Sequence, residues 1–108
     1  MKFKGKKCKR ISRKHFDDIL IRNCFFYNQP KPEKLHKKKI DFIVNKKLSP
    51  IVIDEDGVLL DGYCAYVIAT DYDYRGYKLK IYKVKGLHTR NSGEIDHLRK
   101  IKEARNNA

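Results

Sequence analysis

No apolar run in this chain of 108 residues approaches the roughly 20 residues that cross a bilayer, and the N-terminus lacks the apolar core of a signal peptide. Those absences leave a cytoplasmic protein with no membrane partner as the expectation. Cysteine is scarce: Cys8, Cys24 and Cys64 are odd in number and none sits in a Cys-x-x-Cys spacing. That pattern argues against a disulfide framework and against a structural zinc site. His15, His36, His88 and His97 show no ligand spacing among themselves, so no metal and no cofactor is expected. The chain is not short of apolar residues, however. At 41% hydrophobic and 36% charged it has the composition of a globular protein with a heavily charged surface, and its length fits one domain with a modest core.

Acid is also missing, and unevenly. There are 26 Lys and Arg against 13 Asp and Glu, a net charge of +13, and no acidic residue precedes Asp17. An excess this large on a short chain repels itself, and the usual partner that offsets it is a polyanion. Nucleic acid, in the first place DNA, is therefore the expected partner. A lysine-rich composition of the kind an AT-rich genome produces is the alternative, but clustering of the cations favours nucleic acid.

The segment MKFKGKKCKRISRKH reads as a basic N-terminal arm over 1–14, ordered by a phosphate backbone when one is present. Ile19, Leu20 and Ile21 read as a short buried strand, which Phe25, Phe26 and Tyr27 extend. Pro32 suits the first turn of a helix, with Glu33 at its positive end. That helix offers Leu35, Ile40, Phe42, Ile43 and Val44 as apolar positions and loads another face with Lys34, Lys37, Lys38 and Lys39. The runs PIVID and GVLLD form a strand pair around an Asp56-Gly57 turn. Gly62 allows a sharp exit into the helix YCAYVIATDY, where Ala65, Ile68 and Ala69 supply a close-packing face. YKLKIYKVKG alternates as a half-exposed strand, with Leu79, Ile81 and Lys83 on one side and Lys78, Lys80, Tyr82 and Val84 on the other. A terminal helix follows over 87–108. Asn91 and Glu94 have capping-box spacing, and Ile95, Leu98 and Ile101 make one apolar stripe. The whole is an α+β domain with a small mixed sheet packed with helices, plus a C-terminal helix.

The run NKKLSPIVIDEDGVLLDGYCAYVIA, preceded by the helix PEKLHKKKIDFIV and the strand DDILI, resembles the ParB/sulfiredoxin superfamily and specifically a ParB N-terminal-like domain. The resemblance covers Phe16 to Val84, and with its margins defines a unit over 15–86. It implies a ParB/sulfiredoxin-like fold, in which the glycine matching Gly62 opens a helix whose first turn grips a nucleotide phosphate. The family places a basic pair two and three positions after that glycine; here the pair is Cys64-Ala65. The reactive cysteine of sulfiredoxins directly follows the glycine, where this chain has Tyr63. The turn Asp61, Gly62, Tyr63 and Cys64 therefore reads as a vestigial nucleotide site, with nucleotide hydrolysis lost and no catalytic residue named. Full-length ParB proteins carry a helix-turn-helix after this domain and this sequence shows none, so a phage or plasmid accessory is the implied setting.

The expected nucleic-acid contacts are Lys6, Lys7, Lys9, Arg10, Arg13 and Lys14 on the arm, Lys34, Lys37, Lys38 and Lys39 on the first helix, Arg75, Lys78 and Lys80 around the closing strand, and Arg99 and Lys102 on the last helix. Tyr63, Tyr66, Tyr72, Tyr74 and Tyr77 interleave with some of these cations, as base-stacking surfaces do. Two further readings stand beside this one. A nucleotide-dependent enzyme (CTPase, phosphotransferase or nuclease-like) would use Asp61 with Asp54 or Asp56 and a substitute cation from Lys46, Lys47 or Arg75. A protein adaptor or homodimer would dock through the stripe of Ile95, Leu98 and Ile101.

Overall fold

The structure, a computed structural model, describes residues 2–22, 31–45, 48–71 and 79–106. In chain order the elements are β1 (Lys2–Phe3), β2 (Lys6–Ile11), a 3-10 turn (Arg13–Asp18), α1 (Pro32–Asn45), β3 (Ile51–Ile53), β4 (Leu59–Asp61), α2 (Tyr63–Asp71), β5 (Ile81–Val84) and α3 (Ser92–Asn106). The strands form one mixed sheet in the order β1-β2-β5-β3-β4. Of these neighbours only β3 and β5 run parallel; the others are antiparallel.

The 1–14 segment is not an arm. Cys8 to Ile11 pair with Val84 to Ile81, and Lys2 and Phe3 pair back onto Lys7 and Lys6. The loop between β1 and β2 is Lys4-Gly5, with φ of 48° and 79°, the two left-handed residues of a type I′ hairpin turn. The segment lacks the apolar alternation that marks a strand because its main-chain ladder holds it: only Phe3, Cys8 and Ile11 are half-buried.

β5 lies between β2 and β3, which explains a second departure. Leu79 and Ile81 are buried and Lys80 exposed, as alternation predicts, but Val84 is fully buried as well. A central strand is covered on both faces. Ile19–Ile21 contributes less than a strand. Leu20 makes a single bridge with Val58, through Leu20 N–H to the Gly57 carbonyl and Leu59 N–H to the Leu20 carbonyl, both at 2.9 Å. Phe25, Phe26 and Tyr27 lie outside the described residues, as does Cys24.

The main core gathers Phe16 and Ile19 with Ile51, Ile53, Leu59 and Ile81 of the sheet, with Leu79 just before β5, and with Ala65 and Ala69 of α2. A smaller cluster of Leu20, Val58, Ile95 and Leu98 seats α3. Ile95 and Leu98 of the apolar stripe are thus buried inside the molecule, while Ile101 is half-buried. Its first turn is closed as a capping box: Asn91 Oδ1 accepts Glu94 N–H at 2.8 Å and Asn91 Nδ2 donates to Glu94 Oε1 at 3.0 Å. On α1 only Phe42 is buried, with Leu35, two turns earlier on the same face, half-buried. Ile40, Ile43 and Val44 are exposed, Val44 by 70%, because they stand on other faces of the helix.

Gly62 shows why the β4–α2 turn needs its glycine. Its φ is +89°, and a Cβ there would lie 2.5 Å from the Pro50 carbonyl oxygen and 3.0 Å from Ile51 Cα. Both neighbours are backbone and cannot rotate away. The variant Gly62→Ala is expected to lose at least about 2 kcal/mol from the left-handed conformation and the clash together. Urea unfolding measures it; an unchanged midpoint would refute the close approach.

Candidate nucleic-acid interface

β1, β2 and β5 put Lys2, Lys6, Lys7, Lys9, Arg10 and Lys83 on one run of sheet, with Lys4 in the turn and Lys85 just beyond β5. No acidic residue lies on these strands. The register opposes like charges directly: Lys2 faces Lys7, and Lys9 faces Lys83. Cross-strand pairs of one sign destabilise a sheet. Among the described residues, none of these cations makes a salt bridge. Arg10 faces Tyr82, and Phe3 faces Lys6; because side chains alternate along a strand, these two pairs stand on the opposite face of the sheet from the lysine pairs.

The remaining expected contacts divide. Arg13 and Lys14 are exposed on the 3-10 turn, and Lys80 is exposed before β5. Lys34 and Lys37 are exposed on α1; Lys38 Nζ reaches Ser49 Oγ at 3.3 Å and Lys39 is half-buried. Arg99 is exposed and pairs with Asp96 at 3.7 Å. Lys102 is withdrawn from any such surface. Its ammonium donates to the carbonyl of Ile19 at 2.8 Å and to that of Asp17, and burial pushes its pKa down, with Asp18 and Asp17 opposing the shift. It fastens α3 to the segment before Leu20. Arg75 and Lys78 lie outside the described residues.

A depression of about 580 Å³ lies beside the Ile11, Ile53 and Lys83 positions of the sheet. Asp17, Asp18, Glu55, Asp56 and Glu103 line it and outnumber its Lys and Arg. Excess negative charge repels a polyanion. The hollow adjoins the basic strands and shares Lys83 with them, so the charge changes sign across that part of the sheet.

The turn Asp61-Gly62-Tyr63-Cys64 is held by its own hydrogen bonds. Asp61 Oδ1 accepts the N–H of Gly62 at 2.9 Å and so orders the turn itself, while the carbonyl of Gly62 takes the first helical bond from Tyr66 N–H. Ala65, which matches a basic position of the superfamily that the sequence resembles, is buried in the main core. Cys64 is half-buried. Tyr63 stacks on Tyr66 at 6.4 Å between ring centroids, and Tyr66 on Phe16 at 5.0 Å. These two tyrosines are packing residues. Tyr72, Tyr74 and Tyr77, with Lys46 and Lys47, lie outside the described residues.

The acidic turn has a structural task that composition does not disclose. Asp54 is fully buried. Its Oδ1 accepts the N–H groups of Asp56 and Val58, both at 2.9 Å, and its Oδ2 accepts Thr89 N–H at 3.1 Å and Thr89 Oγ1–H at 2.6 Å. Glu55 Oε2 accepts Gly86 N–H at 2.9 Å. Asp56 Oδ2 meets His88 Nδ1 at 2.8 Å. All three carboxylates hold the β5–α3 loop. Among the described residues no three His, Cys, Asp or Glu side chains are grouped to hold a metal ion. The Asp-x-Asp-Gly-Val spelling carries a signal for the bonds within the turn, since Asp caps the amides two and four residues on. Nothing local points to Thr89.

Two outcomes follow. Asp54→Asn keeps the acceptor toward the turn but sets an amide N–H₂ against the Thr89 N–H. A buried donor without an acceptor costs about 1–3 kcal/mol; urea unfolding should show a loss of that size, and Thr89→Val should lose part of the same bond set. The hydrogen bond to Asp56, with the Asp56 charge, raises the pKa of exposed His88 above its ordinary 6.5. The folded state thus holds that proton more tightly than the unfolded one. Its contribution is complete below pH 6.5 and disappears as pH rises through the raised value. Stability measured upward across this window should fall, and His88→Gln should remove that part of the slope.

No family model matches this chain, and neither does any curated protein or any solved structure.

Proposed function

We propose that this protein is a nucleic-acid-binding module of the ParB N-terminal-like kind, without nucleotide hydrolysis, that grips the phosphate backbone of DNA through the β1–β2–β5 surface. The carrying observation is the set of cations there that oppose one another across the ladder and have no acidic partner among the described residues. A folded domain bears that repulsion at a cost, and a polyanion removes it. The order β3, acidic turn, β4, Asp61-Gly62, α2 supports the ParB-like reading. Ala65 in the core supports the loss of nucleotide chemistry, because a phosphate-gripping residue has no place there. Among the described residues no helix is long and apolar enough to cross a membrane.

Binding of this kind is driven by counterion release and falls steeply with salt. The variant Lys6→Gln/Lys7→Gln/Lys9→Gln/Arg10→Gln should bind labelled duplex DNA more weakly in fluorescence anisotropy. Its plot of log K against log salt should flatten by about 0.9 for each phosphate that is no longer neutralised. The same variant should unfold at equal or higher urea, since it relieves like-charge pairs. Unchanged affinity and slope would remove this surface from the interface. Binding that switches on with CTP or ATP and Mg²⁺ would return the Gly62 turn to consideration.

A further inference from the structure

The nucleic-acid reading treats the basic strands as one surface, but their end differs from the rest. β5 pairs with β2 only over Cys8 to Ile11, and the last main-chain bond is from Lys85 N–H to the Lys7 carbonyl at 3.1 Å. Apart from that bond, Lys2, Phe3, Lys6 and Lys7 have ladder partners only in one another. Residues 2–7 therefore project past β5 as a two-stranded ribbon. A Cβ built on Gly5 at its tip meets nothing within 4 Å.

We propose that this ribbon enters the major groove of duplex DNA. The inference rests on the nucleic-acid reading and adds the form of the ligand and the element that enters it. Two paired strands are about 5 Å apart. With side chains they fit the B-form major groove, about 12 Å wide, and not the minor groove at about 6 Å. The A-form major groove of duplex RNA is too narrow and deep for side chains to read. The ribbon carries Lys2, Lys4, Lys6 and Lys7 with no acid, so it meets phosphates on both walls of a groove.

Lys4 is the sharpest feature. It is the only non-glycine residue with positive φ among the described residues, at 48°, in a turn position where Asn or Gly would sit without strain. Its ammonium lies over the Phe3 ring, 5.7 Å from the centroid, with no salt bridge among the described residues. A strained cation at the leading point of a projecting ribbon can reach guanine O6 and N7, the acceptors that lysine contacts in the major groove. Edge protection is the rival account, because lysines on an edge strand discourage pairing with other sheets. It accounts for Lys2 on β1. It extends to Lys6 and Lys7, which have no ladder partner in β5, but it does not account for Lys4, which stands on the turn.

The test is dimethyl sulfate footprinting of a short guanine-containing duplex saturated with the full chain, beside anisotropy with duplex RNA of the same sequence. Expected are protection of guanine N7, which lies in the major groove, and binding to the RNA duplex weaker by roughly tenfold at equal salt. Lys4→Gly preserves the turn, since glycine suits its φ. It should weaken DNA binding roughly fivefold or more and diminish the N7 protection. Salt-dependent DNA binding with guanine N7 unprotected, or with adenine N3 protected instead, overturns the groove assignment and leaves phosphate binding standing. Equal affinity for the RNA duplex does the same. Failure to bind any polyanion overturns both.

Discussion

A carboxylate carried into the interior must have its charge answered by hydrogen bonds, and Asp54 is fully buried. Four donors answer it, two from its own turn and two from Thr89. The bonds to Asp56 and Val58 close the β3–β4 hairpin; those to Thr89 fix where the chain leaves β5 and begins α3. Val58 then packs with Leu20, Ile95 and Leu98. One side chain thus sets the hairpin, the loop and the seat of the last helix. Removing one partner from a buried charge costs more than any single surface contact contributes.

Charge is organised by sign over the molecule. Five of the 13 acids, Asp17, Asp18, Asp54, Glu55 and Asp56, stand on the β3–β4 turn and the 3-10 turn, where they bond to backbone and to His88 or line a hollow. The cations of β1, β2 and β5 are left facing one another. Neighbouring elements therefore present opposite fields, and a polyanion is guided toward one and away from the other. Lys102 marks the boundary. It belongs to the basic composition by sequence, but its partners are carbonyl oxygens of the main chain.

The central part of the fold was legible. Pro32, the Asp56-Gly57 turn, Gly62 and the Asn91/Glu94 pair are local signals, and each marks a boundary that the structure has. The small face of Ala65, Ile68 and Ala69 is buried as its spacing predicts. What failed depended on distant partners. Nothing in KFKGKKCKRI announces a strand, because its place in the sheet is decided by Ile81 to Val84. Val84 is buried for the same reason. Ile40, Ile43 and Val44 are apolar positions of α1 that stay exposed, because position around the helix decides burial. At the candidate site, clustered charge drew notice to β2, whereas the opposition of Lys9 to Lys83 is visible only in the register.

The pairing of β2 with β5 also sets an order of assembly. Cys8 faces Val84, so most of the domain must be made before the first long strand finds its neighbour. The β3–β4 hairpin, by contrast, closes over a few residues. Local contacts form early, and a pairing across such a separation forms late because a large loop must be closed first. During synthesis the most basic part of the domain emerges ahead of the rest and waits longest. It spends that interval without its sheet, beside the ribosome, which is itself made largely of RNA.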